Sequence, residues 1–250
     1  MAAPTSTPPP SPQRALPTGR ERPFVRLKIA ASLDGITALP NGQSQWITSA
    51  EARLDGHRWR ARADCILTGI GTVLADDPRM DVRLSEAADP SSVLVQPALV
   101  ILDSSLRTPA HAALFEAARP VHIFSTTFAS SEAEAALQDC GAQVHRLPAS
   151  SSDPDRLDLS AVLATLARRG IAKDVHVEAG ACLSGALLRA GLVDEVVLYL
   201  APTLLGAGRP LAELGQLAAL ESGIALDWES IDRVGADLRI VARVVRRTAT

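Results

Sequence analysis

Lys28 lies inside Val25 to Ala31, a mostly apolar, β-compatible run, followed by Asp34-Gly35 and then by Ser44-Gln45-Trp46-Ile47-Thr48-Ser49. A lysine in such a strand is costly unless something pairs with it or its stem carries the ammonium to solvent. It is therefore either a snorkelling residue on an edge strand or a reactive amine. Asp34-Gly35 signals a turn, because Gly accepts positive φ at little cost. A second concentration of chemistry, Glu178 through Ala186, ends an apolar strand on a carboxylate, inserts Gly180 and opens a helix. Main-chain N–H groups at such a helix start suit a pyrophosphate, and the carboxyl end of a strand is where open α/β sheets place ligands. A helix cap or an ion pair is the plainer role for Glu178. Arg60 and Arg83 carry guanidinium forks shaped for a phosphate, with Arg53, Arg58, Arg62 and Arg79 near them in sequence. Thr68 to Pro78 contains Gly69 and Gly71 but matches neither the G-x-G-x-x-G nor the Walker pattern, and Asp76 and Asp77 before Pro78 read equally well as turn caps.

The elements that must position these residues alternate in type, which predicts an α/β fold. Strands are expected over Val25 to Ala31, Cys65 to Ile70, Ala98 to Leu102, Val121 to Ser125, Gln143 to Leu147, Val175 to Glu178, Glu195 to Leu200 and Leu238 to Val245. Several are short continuous apolar runs, as expected where helices cover both faces of a sheet. Helix-type spacing marks Ala50 to Ala63, Ala110 to Ala118, Ser131 to Asp139, Leu159 to Arg169 and Leu183 to Ala190. Ala87 to Ser92 and Ala149 to Pro154 read as loops. Met1 to Arg22, rich in Pro, Ser and Thr, is expected to be a disordered tail before a single domain over residues 23–250.

The net charge of −3 offers no general attraction to nucleic acid or anionic membrane, so a small-molecule partner is expected. No run of about 20 apolar residues is present to span a bilayer, and a cytoplasmic location is expected. The three cysteines are far apart and the five histidines lack i, i+4 pairing, so neither a disulfide framework nor a metal site is expected.

Taken in order, Lys28 to Gly35, Ser44 to Ser49, Thr72 to Pro78 with Arg83, Asp103-Ser104, Glu178 to Gly185, and Val193-Asp194-Glu195 followed by Ala201-Pro202-Thr203-Leu204-Leu205-Gly206 resemble the reductase half of the bifunctional deaminase/reductase of riboflavin biosynthesis. The resemblance runs from about Phe24 to near the C-terminus. It implies a dihydrofolate-reductase-like α/β fold with a central, mostly parallel sheet flanked by helices. The implied reaction is NADPH-dependent reduction of the ribosyl group of 5-amino-6-(5-phosphoribosylamino)uracil, or of its diamino pyrimidinone precursor, to the ribitylamino product. Substrate contacts are implied for Lys28, Ser44, Thr48, Arg60, Met80, Arg83 and Glu178. Cofactor contacts are implied for Ala30, Trp46, Thr72, Asp76, Ser104 and the run Gly180, Ala181, Cys182, Leu183, Ser184, Gly185 and Ala186. Lys28, Asp76 and Glu178 are the candidates for ring opening and proton transfer, with none assigned as the acid.

The resemblance also implies a homodimer, and Leu238 to Val245 reads as an exposed edge or apolar face needing cover. Preference for NADPH over NADH is expected, with hydroxyls of Ser125, Thr126 and Thr127 available to a 2′-phosphate. No Pro-Cys-x-x-Cys occurs, so zinc deaminase activity is not expected. Met80 stands where many relatives carry Leu, and Ala181-Cys182 where Pro-Thr is common, which leaves room for a shifted substrate. Competing readings are a pterin or dihydrofolate reductase, a reductase of a specialised flavin-like pathway, and a non-catalytic scaffold. Two arginines at Arg60 and Arg83 favour a phosphorylated sugar over a pteridine.

Overall fold

In a computed structural model of the chain, residues 21–84 and 95–246 are described. The Ala87 to Ser92 loop and all of the N-terminal tail before residue 21 lie outside them. In chain order the elements are β1 (Phe24–Ser32), β2 (Ile36–Ala38), α1 (Ala50–Arg60), β3 (Cys65–Gly69), α2 (Ile70–Asp76), β4 (Ala98–Leu102), β5 (Val121–Thr126), α3 (Ser131–Asp139), β6 (Ala142–Leu147), β7 (Ala149–Ser150), β8 (Asp153–Leu157), α4 (Leu159–Arg168), β9 (Asp174–Val177), α5 (Ala181–Arg189), β10 (Glu195–Ala201), β11 (Arg209–Pro210), β12 (Leu226–Val234) and β13 (Asp237–Val244). The fold is α/β, built on a mostly parallel sheet with flanking helices. No helix among the described residues is long and apolar enough to cross a membrane. The chain divides into two compact units, the first formed by Val25–Gly56 with residues from 181 onward and the second by His57–Gly180.

In the first unit the strand order is β12-β13-β10-β1. β1 and β10 run parallel, from Arg26 opposite Glu195 to Ser32 opposite Ala201, and β13 is antiparallel to both β10 and β12. The two-residue period of a strand sends Leu27, Ile29 and Ala31 to one face and Arg26, Lys28 and Ala30 to the other. β13 is therefore an interior strand of this unit, so of the two readings of Leu238 to Val245 the exposed edge does not hold. The edge is β12, whose charged and polar alternation hid it from the sequence. A bulge between Trp228 and Ser230 restores the phase of β12, so that Leu226, Trp228 and Ile231 sit opposite Val244, Ala242 and Ile240. These three side chains are 38%, 59% and 58% exposed.

The second unit holds five parallel strands in the order β9-β3-β4-β5-β6. Ile66, Leu99, Ile101, Val121 and Ile123 pack in one core with Leu137 of α3 and with Leu114. Burial on both faces explains why these strands read as continuous apolar runs. Ser130 caps α3 by accepting from Ala133 N–H, and Asp158 caps α4 by accepting from the Ser160 and Ala161 N–H groups.

Four expectations fail locally. Ala110 to Ala118 forms only a 3-10 turn at Ala113–Phe115, between Pro109 and Pro120, where the Asp77 carboxylate accepts the Ala113 N–H. Helix propensity without an apolar face to bury is a weak force. Ala149 to Pro154 is not a plain loop, because β7 and β8 pair there as a small antiparallel ribbon. Ile70 does not end a strand but opens α2, and α5 begins at Ala181, two residues before its apolar spacing becomes visible.

Candidate active site

In the second unit, β9 carries the sequence His176-Val177-Glu178 to its carboxyl end, and the strand period puts His176 and Glu178 on one side of the backbone. His176 Nε2 lies 3.2 Å from Glu178 Oε1. Arg60, the last residue of α1, meets the same carboxylate fork to fork, with Nε 2.5 Å from Oε1 and Nη2 2.9 Å from Oε2. Its third nitrogen, Nη1, donates to the Asp81 carbonyl at 2.8 Å. The two side chains are 15% and 14% exposed. Burial alone would pull the Arg60 proton affinity down, but the Glu178 carboxylate and Asp81 outweigh it and raise it. The ion pair foreseen as the plainer role for Glu178 is thus present, at the strand end where ligands bind such sheets.

Beside it runs the segment Arg79 to Arg83, which has no helix or strand of its own. Met80 has a positive φ of 52° and turns its side chain into the core, where it is 4% exposed. Asp81 pairs with Arg79 at 3.2 Å and with Arg83 at 3.3 Å. The Arg83 side chain is 64% exposed, so its guanidinium faces solvent at the rim of the Arg60–Glu178 pair's loop. The Arg83 N–H donates to His57 Nδ1 at 3.0 Å. Burial, reinforced by the charges of Arg60 and Arg83, pulls the His57 pKa down to about 4 and keeps the ring neutral and able to accept.

Of the implied cofactor positions in this unit, Thr72 is half-buried in α2, Asp76 is exposed at its C-terminal end, and the half-buried Ser104 follows β4. Asp77, in the left-handed region at φ 39°, closes α2, so the turn-cap reading holds for it. Ser104 and Thr126 help to line a cavity of about 370 Å³ with Phe128, Ser130, Pro154 and Asp155. Ser125 and Thr126 themselves are buried, and Thr126 Oγ1 donates to the Ser104 carbonyl, so of the three hydroxyls only Thr127 is exposed.

In the first unit Lys28 is half-buried on β1, its Nζ 5.7 Å above the Tyr199 ring, a cation–π placement. Tyr199 donates its hydroxyl to Asp55 Oδ2 at 2.7 Å, and Arg239 Nη1 donates to the same oxygen at 2.9 Å. The Asp34 carboxylate accepts the Ser32 hydroxyl and the N–H groups of Leu205 and Gly206, tying the Asp34-Gly35 turn to the Pro202 to Gly206 motif. The Ser32 hydrogen bond first, then those of Gly206 and Leu205, lower the Asp34 pKa to about 2. Ser44 and Ala30 are half-buried and Thr48 is buried. Trp46 is 70% exposed with the Arg53 guanidinium 4.3 Å from its ring. Along α5, Ala181 and Ser184 are buried, Leu183 and Ala186 half-buried and Cys182 exposed. A Cβ on Gly185 would lie 2.2 Å from the Glu213 carbonyl, so glycine is required there by close backbone packing. Gly180, at the end of the second unit, has open space around it.

The structure adds His57, Asp81 and His176 to the group around Arg60, and Asp55, Tyr199 and Arg239 to the surroundings of Lys28. His176 could have been found from its i, i−2 relation to Glu178. His57 stands three residues before Arg60 on α1 and Asp81 two before Arg83, whereas Asp55, Tyr199 and Arg239 come together from distant chain positions and carry no local signal. Among the described residues no cluster of three or more His, Cys, Asp or Glu could hold a metal ion.

The family model for the RibD C-terminal domain matches residues 23–240. Riboflavin biosynthesis protein RibD of Escherichia coli is 38% identical over 224 residues, covering 86% of this chain and 58% of that protein. RibD of Bacillus amyloliquefaciens is 37% identical, covering 88% and 57%. The chain thus spans a little over half the length of these relatives. Among solved structures, Acinetobacter baumannii RibD superposes with a TM-score of 0.78 at 34% identity, covering 90% of this chain and 58% of that one. A Thermotoga maritima diaminohydroxyphosphoribosylaminopyrimidine deaminase/5-amino-6-(5-phosphoribosylamino)uracil reductase gives 0.70 at 25% identity, covering 90% and 57%. With a family-model match over residues 23–240 and relatives 37–38% identical over most of its length, this chain belongs to the RibD C-terminal domain family.

Proposed function

We propose that this chain reduces the ribosyl group of 5-amino-6-(5-phosphoribosylamino)uracil, or of its diamino precursor, to the ribityl product with NADPH. The observation that carries this reading is the Arg60–Glu178 fork at the end of β9 beside the solvent-facing Arg83, in a chain of this family. Arg83 suits the 5′-phosphate or the polar edge of the pyrimidine. Arg60 already spends three nitrogens on Glu178 and Asp81, so its part is to fix the carboxylate in place. Glu178, so held, is suited to a sugar hydroxyl during ring opening, while Lys28 and Asp76 remain the other candidates for moving the proton. Ser44 and Thr48 supply hydroxyls for further hydrogen bonds. NADPH, when bound, supplies the hydride taken up at C1′.

The cavity lined by Ser104, Phe128 and Ser130 fits the adenosine end of a dinucleotide, offering an exposed aromatic ring and hydroxyls. Asp155 at its wall is unfavourable for a 2′-phosphate, so Asp155→Asn should tighten NADPH more than NADH. The family match across residues 23–240 supports one reductase domain. The exposed stripe of Leu226, Trp228 and Ile231 on edge strand β12 supports a homodimer, which light scattering would refute by returning the 26.3 kDa of one chain. The reductase reading itself is tested by following NADPH absorbance with the two pyrimidine phosphates and dihydrofolate. Consumption with a pyrimidine phosphate is expected, and consumption with dihydrofolate alone would overturn it.

A further inference from the structure

Five consecutive residues, Arg79 to Arg83, have their main chain held by side chains reaching in from elsewhere in the second unit. Arg119 donates Nη1 to the Met80 carbonyl at 2.6 Å and Nη2 to the Arg79 carbonyl. Arg60 donates to the Asp81 carbonyl. Gln96 accepts the Val82 N–H at 2.7 Å and donates to the Val82 carbonyl at 3.0 Å, as a paired strand would. His57 accepts the Arg83 N–H. Asp81 and Val82 are buried, so these backbone groups need partners, and no regular element supplies them.

We propose that His57 and Gln96, with Arg119 behind them, are positioning residues that present Arg83 to the substrate. The inference rests on the reductase reading in that Arg83 contacts substrate. The three side chains come from α1 and from the segments leading into β4 and β5. The loop is therefore fixed before any ligand arrives, and the guanidinium at its tip has less freedom to lose on binding. A clamp of this kind acts on substrate binding, not on the reacting atoms. Its loss raises the Michaelis constant and leaves turnover in place.

The test compares His57→Leu, His57→Asn and Gln96→Leu with the intact protein, reading substrate and NADPH Michaelis constants, turnover, and amide exchange at Val82 and Arg83. His57→Leu, which removes one hydrogen bond, and Gln96→Leu, which removes two, should each raise the substrate Michaelis constant by ~5–10-fold or more, with turnover and the NADPH constant within about twofold. Exchange at Arg83 should quicken in His57→Leu and at Val82 in Gln96→Leu. His57→Asn, whose amide oxygen can stand in for Nδ1, should restore both readouts. An unchanged substrate constant despite faster exchange would overturn the proposal, as would a loss confined to turnover, or a His57→Asn no better than His57→Leu. An intact protein that protects these amides but reduces no pyrimidine would instead overturn the reductase reading, and with it Arg83 as a substrate contact.

Discussion

Two carboxylate–guanidinium pairs, one in each unit, show how similar chemistry is put to different uses. Asp55 and Arg239 in the first unit are 0% and 1% exposed, and the pair is closed by Tyr199 on the carboxylate and by Asp232 on Arg239 Nη2 at 2.7 Å. Arg60 and Glu178 in the second unit form a better fork but remain 15% and 14% exposed, next to a loop whose tip is open to solvent. A sealed pair costs heavily when one partner is removed, because the other is left as a buried, uncompensated charge. A pair with an open side loses less stability and can face a ligand. The first pair is built as architecture, while under the proposed function the second serves the chemistry.

The largest effect expected from that contrast is in the sealed pair. Arg239→Met should cost about 3–5 kcal/mol of folding stability, seen as a lower urea midpoint. A loss below about 1 kcal/mol would show that the burial of Asp55 is not as complete as the geometry indicates. Glu178→Gln should instead lower turnover by roughly 100-fold, the usual scale of acid–base assistance, while its urea midpoint stays well above that of Arg239→Met. If stability fell and turnover did not, the two pairs would be of one kind and the comparison would break. Arg83→Ala should raise the substrate Michaelis constant by ~10-fold through loss of a charge-assisted contact, leaving NADPH affinity unmoved.

A smaller effect sharpens the picture with pH. Burial, then neighbouring positive charge, lowers His57 and His145 to about 4 and lowers His122 as well. A histidine depressed in the folded state contributes stability that is complete above its unfolded value near 6.5 and is lost as pH falls through the folded value. The melting temperature should therefore decline between about pH 6.5 and 4, and a flat profile over that window would contradict it. The smallest effect belongs to Arg243 and Glu229, a pair at the surface with side chains 46% and 24% exposed. Glu229→Gln should change stability by no more than about 1 kcal/mol, within reach of a careful denaturation series.

Much of the fold is legible in the chain because its strongest forces are local and periodic. Cys65 to Gly69 and Ala98 to Leu102 are strands because a continuous apolar run of that length suits a doubly covered sheet. β12 is invisible for the opposite reason, because charged residues interrupt Leu226, Trp228 and Ile231 and the bulge breaks their two-residue alternation. In the site, Glu178, Arg60 and Arg83 could be singled out by type and by resemblance, yet only the fold shows that Arg60 grips Glu178 and Arg83 does not. Residues 118 positions apart have no local pattern that announces a pair.

The sequence by itself determined the alternation of strands and helices, the turn at Asp34-Gly35, the carboxylate at the end of a strand, and membership of the RibD C-terminal domain family, since each follows from residue type, spacing and order. Only the tertiary structure decided which charges are sealed and which stay open to solvent, that Met80 turns into the core, and that His57, Gln96 and Arg119 hold the loop bearing Arg83. The physical reason is that burial and hydrogen-bond partnership are properties of the packed chain, set by backbone groups that must be satisfied from whatever element lies nearest in space.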